Sequence, residues 1–109
     1  MRIAEVVEKT GLESLNAWED DEISGVYISD MVSDIITGAA GRDLLLTLQT
    51  HKSLIAAANL VDVAVVVFAH DKRPGADVVE LADKAGIALF TTPADTWAYA
   101  VKLFELGLR

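Results

Sequence analysis

Residues 43 to 70, DLLLTLQTHKSLIAAANLVDVAVVVFAH, constrain the fold more than any other part of the chain. Leu44, Leu45, Leu46 and Leu48 form a short apolar run ending in the polar set Gln49, Thr50, His51, Lys52 and Ser53, and Val63 to Ala69 form a second run ending at His70. Alternate side chains of a strand point to opposite sides of its sheet, so runs this short and continuously apolar suit strands buried on both faces. Between them, Leu54 to Val61 is rich in Ala and Leu and long enough for about two helical turns. The stretch predicts a parallel βαβ unit whose first strand meets its helix through a polar loop.

Length and charge narrow the class. A chain of 109 residues that is 52% hydrophobic can bury a core as one domain, 1–109, and is too apolar for disorder. Nine basic against seventeen acidic residues give a formal net charge of -8. That balance excludes nucleic acid and anionic membrane surfaces as expected partners, because both draw affinity from Lys and Arg meeting phosphate. The absence of cysteine excludes disulfides, thiolate catalysis and thiolate metal sites. Met1 to Thr10 has no apolar core of signal-peptide length, and Val63 to Ala69 falls far short of the roughly 20 residues that span a bilayer. A soluble, cytoplasmic protein is expected.

Taken in order, the chain opens with an amphipathic helix over 2–10, closed by Gly11. The phrase IAEVVEKTGL can also pass for the start of a helix-turn-helix, but the acidic continuation lacks a second amphipathic helix and the basic charge of a DNA reader. Leu12 to Trp18 alternates in part and predicts a strand at the sheet's edge, followed by Glu19 to Glu22 as a solvated acidic turn. Ile23 to Ile28 predicts a strand, and Ser29 or Asp30 is placed to cap a short helix over 31–37. Asp30 and Asp34, four apart, can share a helical face as a carboxylate pair, or act simply as a cap and an exposed acid. Beyond the central unit come a loop at 71–75, a helix over 76–85 closed by Gly86, and a short buried strand over 87–90. Thr92, Pro93 and Asp95 then predict a helix over 93–106, with Thr92 as its cap. That helix places Trp97, Val101, Phe104 and Leu108 near one face, while Tyr99, Leu103 and Leu106 lie at other angles.

In open α/β sheets, ligands sit beyond the carboxyl ends of the parallel strands, where helix N-termini offer free N–H groups to anions. The residues at those ends are Ser29 and Asp30, then Gln49, Thr50, His51, Lys52 and Ser53, then His70, and last Thr91 and Thr92. No Walker-type loop and no GxGxxG is present, so neither a standard nucleoside-triphosphatase nor a dinucleotide enzyme is supported. His51 beside Lys52 can serve as a general base, a phosphoryl acceptor or an anion ligand; alternatively Thr50 caps the helix while His51 and Lys52 face water. His70 suits positioning a loop by hydrogen bonding better than binding metal, and two histidines with scattered aspartates predict no metal site.

Three segments together carry a family resemblance: GVYISDMVSDIITGA, LLLTLQTHKSLIAAANLVDVAVVVF and KAGIALFTTPADTWAYAVKLFELG. Over nearly the whole chain they resemble stand-alone members of the DRTGG-domain family. The resemblance implies a fold like the N-terminal domain of HPr kinase/phosphorylase, itself similar to the uridine-nucleotide-binding domain of Mur ligases. It also implies a regulatory context, since related domains occur in bacterial phosphotransacetylases and beside CBS domains in some inorganic pyrophosphatases. The eponymous Asp-Arg-Thr-Gly-Gly string is absent, QTHKS standing where its counterpart is expected, and the family supplies no catalytic residues to carry over.

The fold expected is therefore a small, mainly parallel α/β sheet with helices on both faces. The function expected is a non-enzymatic regulatory or protein-interaction role, through a homodimer or a partner enzyme, without cofactor, metal or catalytic residues. Two alternatives are a sensor of an anionic metabolite or nucleotide at 49–53, and a phosphotransfer protein using His51. The homodimer follows from the last helix, whose large apolar side chains exceed what one buried stripe can take.

Overall fold

A computed structural model describes residues Met1–Arg109. The elements, in order, are α1 (Ile3–Thr10), β1 (Glu13–Ser14), β2 (Gly25–Ile28), α2 (Val32–Gly38), β3 (Asp43–Thr47), α3 (Lys52–Leu60), β4 (Val65–Phe68), α4 (Ala76–Ala85), β5 (Ala88–Thr91) and α5 (Thr96–Leu106). The sheet runs β1-β5-β4-β3-β2, with β2 to β5 parallel and β1 antiparallel to β5.

Strands β2 to β5 step across the sheet in sequence order, so crossovers of one hand put α2, α3 and α4 on one face. There Ile35, Leu54, Ile55, Ala57, Ala58, Val78 and Ala82 close over Leu45, Val66, Phe68 and Leu89. Helices α1 and α5 cover the other face, where Ile3, Val6, Tyr99 and Leu103 pack on Leu44, Leu46, Val65, Val67 and Phe90. Val65 and Val67 thus lie on one side of β4 and Val66 and Phe68 on the other, all buried, as expected for a two-sided sheet. Gly11 and Gly86 close α1 and α4 at φ 69° and 72°, a left-handed conformation that glycine adopts without a Cβ clash. No helix is long and apolar enough to cross a membrane.

Several local expectations are corrected. The Leu12–Trp18 strand shrinks to Glu13–Ser14 because Asn16 takes over the ladder: its Nδ2 donates to the Ile87 carbonyl at 2.9 Å and its Oδ1 accepts the Leu89 N–H at 2.9 Å. Trp18 then turns its edge onto Phe90, ring centroids 5.3 Å apart. The acidic run is exposed, as expected of a solvated turn, but three of its carboxylates also have partners. Asp20 accepts the Ala4 N–H at 2.9 Å and pairs with Arg2, Asp21 holds Arg42, and Glu22 takes the chain's amino terminus at 3.0 Å. Carboxylates at the positive end of α1 stabilise it, and the Ala4 N–H in turn holds the Asp20 carboxyl below its usual range.

The helix caps also differ. Helix α3 starts at Lys52 and its cap is His51, not Thr50, with Nδ1 accepting the Ser53 N–H at 3.2 Å. Helix α5 starts at Thr96 and its cap is Asp95, not Thr92, with the carboxylate accepting the Ala98 N–H at 2.7 Å. Thr92 is instead buried at the end of β5, its N–H on the Phe68 carbonyl. Neither Ser29 nor Asp30 caps α2, whose cap position is Met31. Asp30 reaches across to β3, and Asp34 accepts the Tyr27 hydroxyl at 2.9 Å, so the two aspartates form no pair.

Candidate functional site

The carboxyl ends of the parallel strands gather the polar residues singled out from the sequence, as two hydrogen-bonded groups. In the first, Asp30 accepts the Thr47 hydroxyl at 2.8 Å and the Leu48 N–H at 2.7 Å, tying the end of β2 to the end of β3. The Gln49 N–H goes to the Thr47 hydroxyl oxygen, the His51 N–H to the Gln49 side-chain oxygen, and the Ser53 N–H to His51. A ring nitrogen that accepts an N–H is unprotonated, so the neutral His51 ring carries its proton on the exposed Nε2. Ser29 stands apart, its hydroxyl oxygen accepting the Met31 N–H at 3.2 Å.

Four of the loop's amides are thus donated to neighbouring side chains. Thr50 and Lys52 keep theirs free of protein acceptors, and the Lys52 side chain is exposed. An anion arriving here meets those two amides and Lys52 on one side and the Asp30 carboxylate on the other.

The second group lies between β4 and β5. The chain leaves β4 for one face of the sheet and β5 for the other, the arrangement that opens a crevice in many open sheets. Here it is sewn shut. The His70 N–H donates to the Ala94 carbonyl at 2.9 Å, the Asp71 N–H to the Thr92 carbonyl at 2.7 Å, and the buried Thr91 hydroxyl to the Lys72 carbonyl at 2.9 Å. His70 and Asp71 sit at φ 57° and 56°, a left-handed pair held by these bonds, and the His70 ring is exposed. Arg73 bridges this loop to Asp71 and to Glu13 of β1, and its guanidinium holds the Glu13 carboxyl below its usual range. No three acidic or histidine side chains come together as a metal site.

Both cavities of the structure lie elsewhere. One, about 420 Å³, sits at the amino ends of the strands between Trp18, Glu19, Asp20, Asp21, Arg42 and Asp83. The other, about 370 Å³, is shallow and lined only by Trp97, Ala100, Val101 and Phe104 of α5. The sequence places Trp97, Val101, Phe104 and Leu108 near one face of α5, but the structure divides them: Trp97 is 78% and Phe104 58% exposed with Val101 half-buried between them, while Leu108, beyond the helix end, is buried like Tyr99 and Leu103. The Arg109 guanidinium stacks 4.3 Å from the centre of the Phe104 ring and covers one side of it.

Tyr99 fixes this orientation. The Thr10 hydroxyl donates to the Val6 carbonyl at 2.7 Å, so the Tyr99 hydroxyl, 3.0 Å away, donates to Thr10. Burial pushes the Tyr99 phenol up to about 12.

A four-stranded parallel core with three helices on one face, and two helices on the other, defines the class as an α/β domain of DRTGG-like fold. Among solved structures it is similar to the CBS and DRTGG domains of the regulatory region of Clostridium perfringens pyrophosphatase, which was crystallised with the activator diadenosine tetraphosphate. The TM-score is 0.73 at 16% identity, over 93% of this chain and 45% of that one, so this chain spans less than half of that structure and the likeness is one of fold. No protein-family model matches the sequence, and neither does any curated protein.

Proposed function

We propose that this chain is a non-enzymatic regulatory or interaction domain that works through the outward face of α5, by dimerisation or on a partner enzyme. The observation that carries the reading is the four-residue stripe of Trp97, Ala100, Val101 and Phe104, apolar throughout, with Trp97 and Phe104 open to water and Ala100 and Val101 half-buried between them. A Trp this exposed costs free energy in the isolated chain and returns it when another surface covers it. The regulatory region of the similar pyrophosphatase supports a regulatory role for the fold. Sedimentation of the wild type and of a Trp97→Glu/Phe104→Glu variant at micromolar concentration tests the reading. The wild type is expected above its 11.7 kDa monomer mass, and the variant at it. Wild-type protein that remains at 11.7 kDa, or association that survives the double substitution, overturns α5 as the working surface.

A second reading, a sensor of an anionic metabolite or nucleotide at Gln49 to Ser53, draws on the nucleotide activator of that neighbour and on the free Thr50 and Lys52 amides.

A further inference from the structure

Around α5, at about 100° per residue, the buried Tyr99 and Leu103 and the outward Ala100, Phe104, Trp97 and Val101 together span more than half of the circumference. Lys102 and Glu105 fall on the remaining flank. The four stripe residues are uncharged, and the one charged group against them is the Arg109 guanidinium on one side of Phe104.

Read along the helix, the stripe is large, small, branched, large. Trp97 and Phe104 stand equally far from the midpoint between Ala100 and Val101, about 5 Å to either side at 1.5 Å per residue. We propose that a second copy of this chain covers the stripe, its α5 running antiparallel across a two-fold axis through that midpoint. This rests on the interaction reading above and names its occupant. In this register Trp97 lies against the partner's Phe104, and the partner's Trp97 against Phe104. Ala100 at the crossing lets the two helices approach to the 8–10 Å of close helix packing, roughly the distance at which aromatic side chains on both sides can interdigitate.

Area supports a self-contact. Taking roughly 250 Å² for a Trp and 200 Å² for a Phe, exposures of 78% and 58% leave about 300 Å² of aromatic surface per copy. Two copies bring about 600 Å² before Ala100, Val101 and the flanks are added, against the roughly 1,000 Å² that a specific interface needs. A partner of other sequence would have to supply its own matching stripe. A second copy already has one, and a two-fold axis requires only that the same patch fit itself.

The native chain has no cysteine, so a single introduced thiol reports the register directly. Ala100→Cys and Val101→Cys, near the axis, are expected to form a covalent dimer under mild oxidation, while Ala98→Cys, exposed on the far flank, forms no crosslink. Adding Phe104→Glu to Ala100→Cys is expected to abolish the crosslink and leave a folded monomer that still unfolds cooperatively, because Phe104 is not part of the core. A dimer that sediments as such and depends on Trp97 and Phe104, but crosslinks at neither 100 nor 101, overturns the antiparallel register and leaves the interaction reading standing. Sedimentation at 11.7 kDa alone overturns both.

Discussion

Tyr99→Phe separates two contributions of one buried hydroxyl. At neutral pH the substitution removes the O–H that Tyr99 donates to Thr10. Thr10 keeps its own bond to Val6, so no buried donor is orphaned and the cost is that of one net hydrogen bond, about 1 kcal/mol. In alkali the sign reverses. The unfolded phenol ionises near 10.0, whereas in the folded chain burial holds it protonated up to about 12. Between those values the unfolded state binds fewer protons than the folded one, so stability falls as pH rises, by about 2 kcal/mol at the upper end. Against a total of roughly 5–15 kcal/mol for a domain of this size, that is a large share. Urea unfolding of both proteins from pH 8 to 12 reads the effect. Every other ionisable group is common to both chains, so the difference between the two isolates Tyr99. Wild type is expected to be the more stable by about 1 kcal/mol at pH 8, and Tyr99→Phe by about 1 kcal/mol near pH 12. A difference that stays constant across this range refutes the buried, donating phenol.

Other perturbations probe the remaining structure. Val66→Asp puts an unpaired charge in the central strand between Leu45 and Leu89, where Val66 is fully buried, and is expected to cost several kcal/mol and prevent folding; soluble, cooperative unfolding would count against the two-sided sheet. If an anion binds at 49–53, Lys52→Glu is expected to abolish ligand-induced thermal shifts from phosphorylated metabolites and leave the ligand-free midpoint nearly unchanged; equal shifts in both proteins would remove the loop from consideration. In acid, the Asp20 and Glu13 carboxyls, held below their unfolded values of 3.8 and 4.5 by the Ala4 N–H and by Arg73, contribute stability that is present above those values and lost as pH falls through the folded ones. Asp20→Asn and Glu13→Gln are accordingly expected to flatten the unfolding midpoint's pH dependence below about pH 4, and an unchanged slope would argue against both contacts.

The sequence by itself determined the alternation of strands and helices from Gly25 onward, the two-sided burial of β3 and β4, and the glycine ends of α1 and α4. These depend on periodicity and on single-residue backbone preferences, which act within a few positions of the chain. It also identified α5 as a helix with more apolar circumference than one contact can cover. What it could not assign were polar side chains whose partners lie far along the chain. Asp30 reads locally as a cap for α2, but its bonds are to Thr47 and Leu48 on the next strand; Asn16 reads as part of a strand, but its side chain completes the edge of β5. The acidic run reads as unpartnered because α1's free N–H groups and Arg42 come to it only in the folded chain. At the polar edge the sequence located the QTHKS loop, but only the tertiary structure showed that three of its five amides are already donated to neighbouring side chains. For α5, which of two apolar faces turned inward was decided by Tyr99 reaching Thr10, 89 residues away in sequence. A buried hydroxyl must find a partner, and once Tyr99 had one, Trp97 and Phe104 were left on the outside.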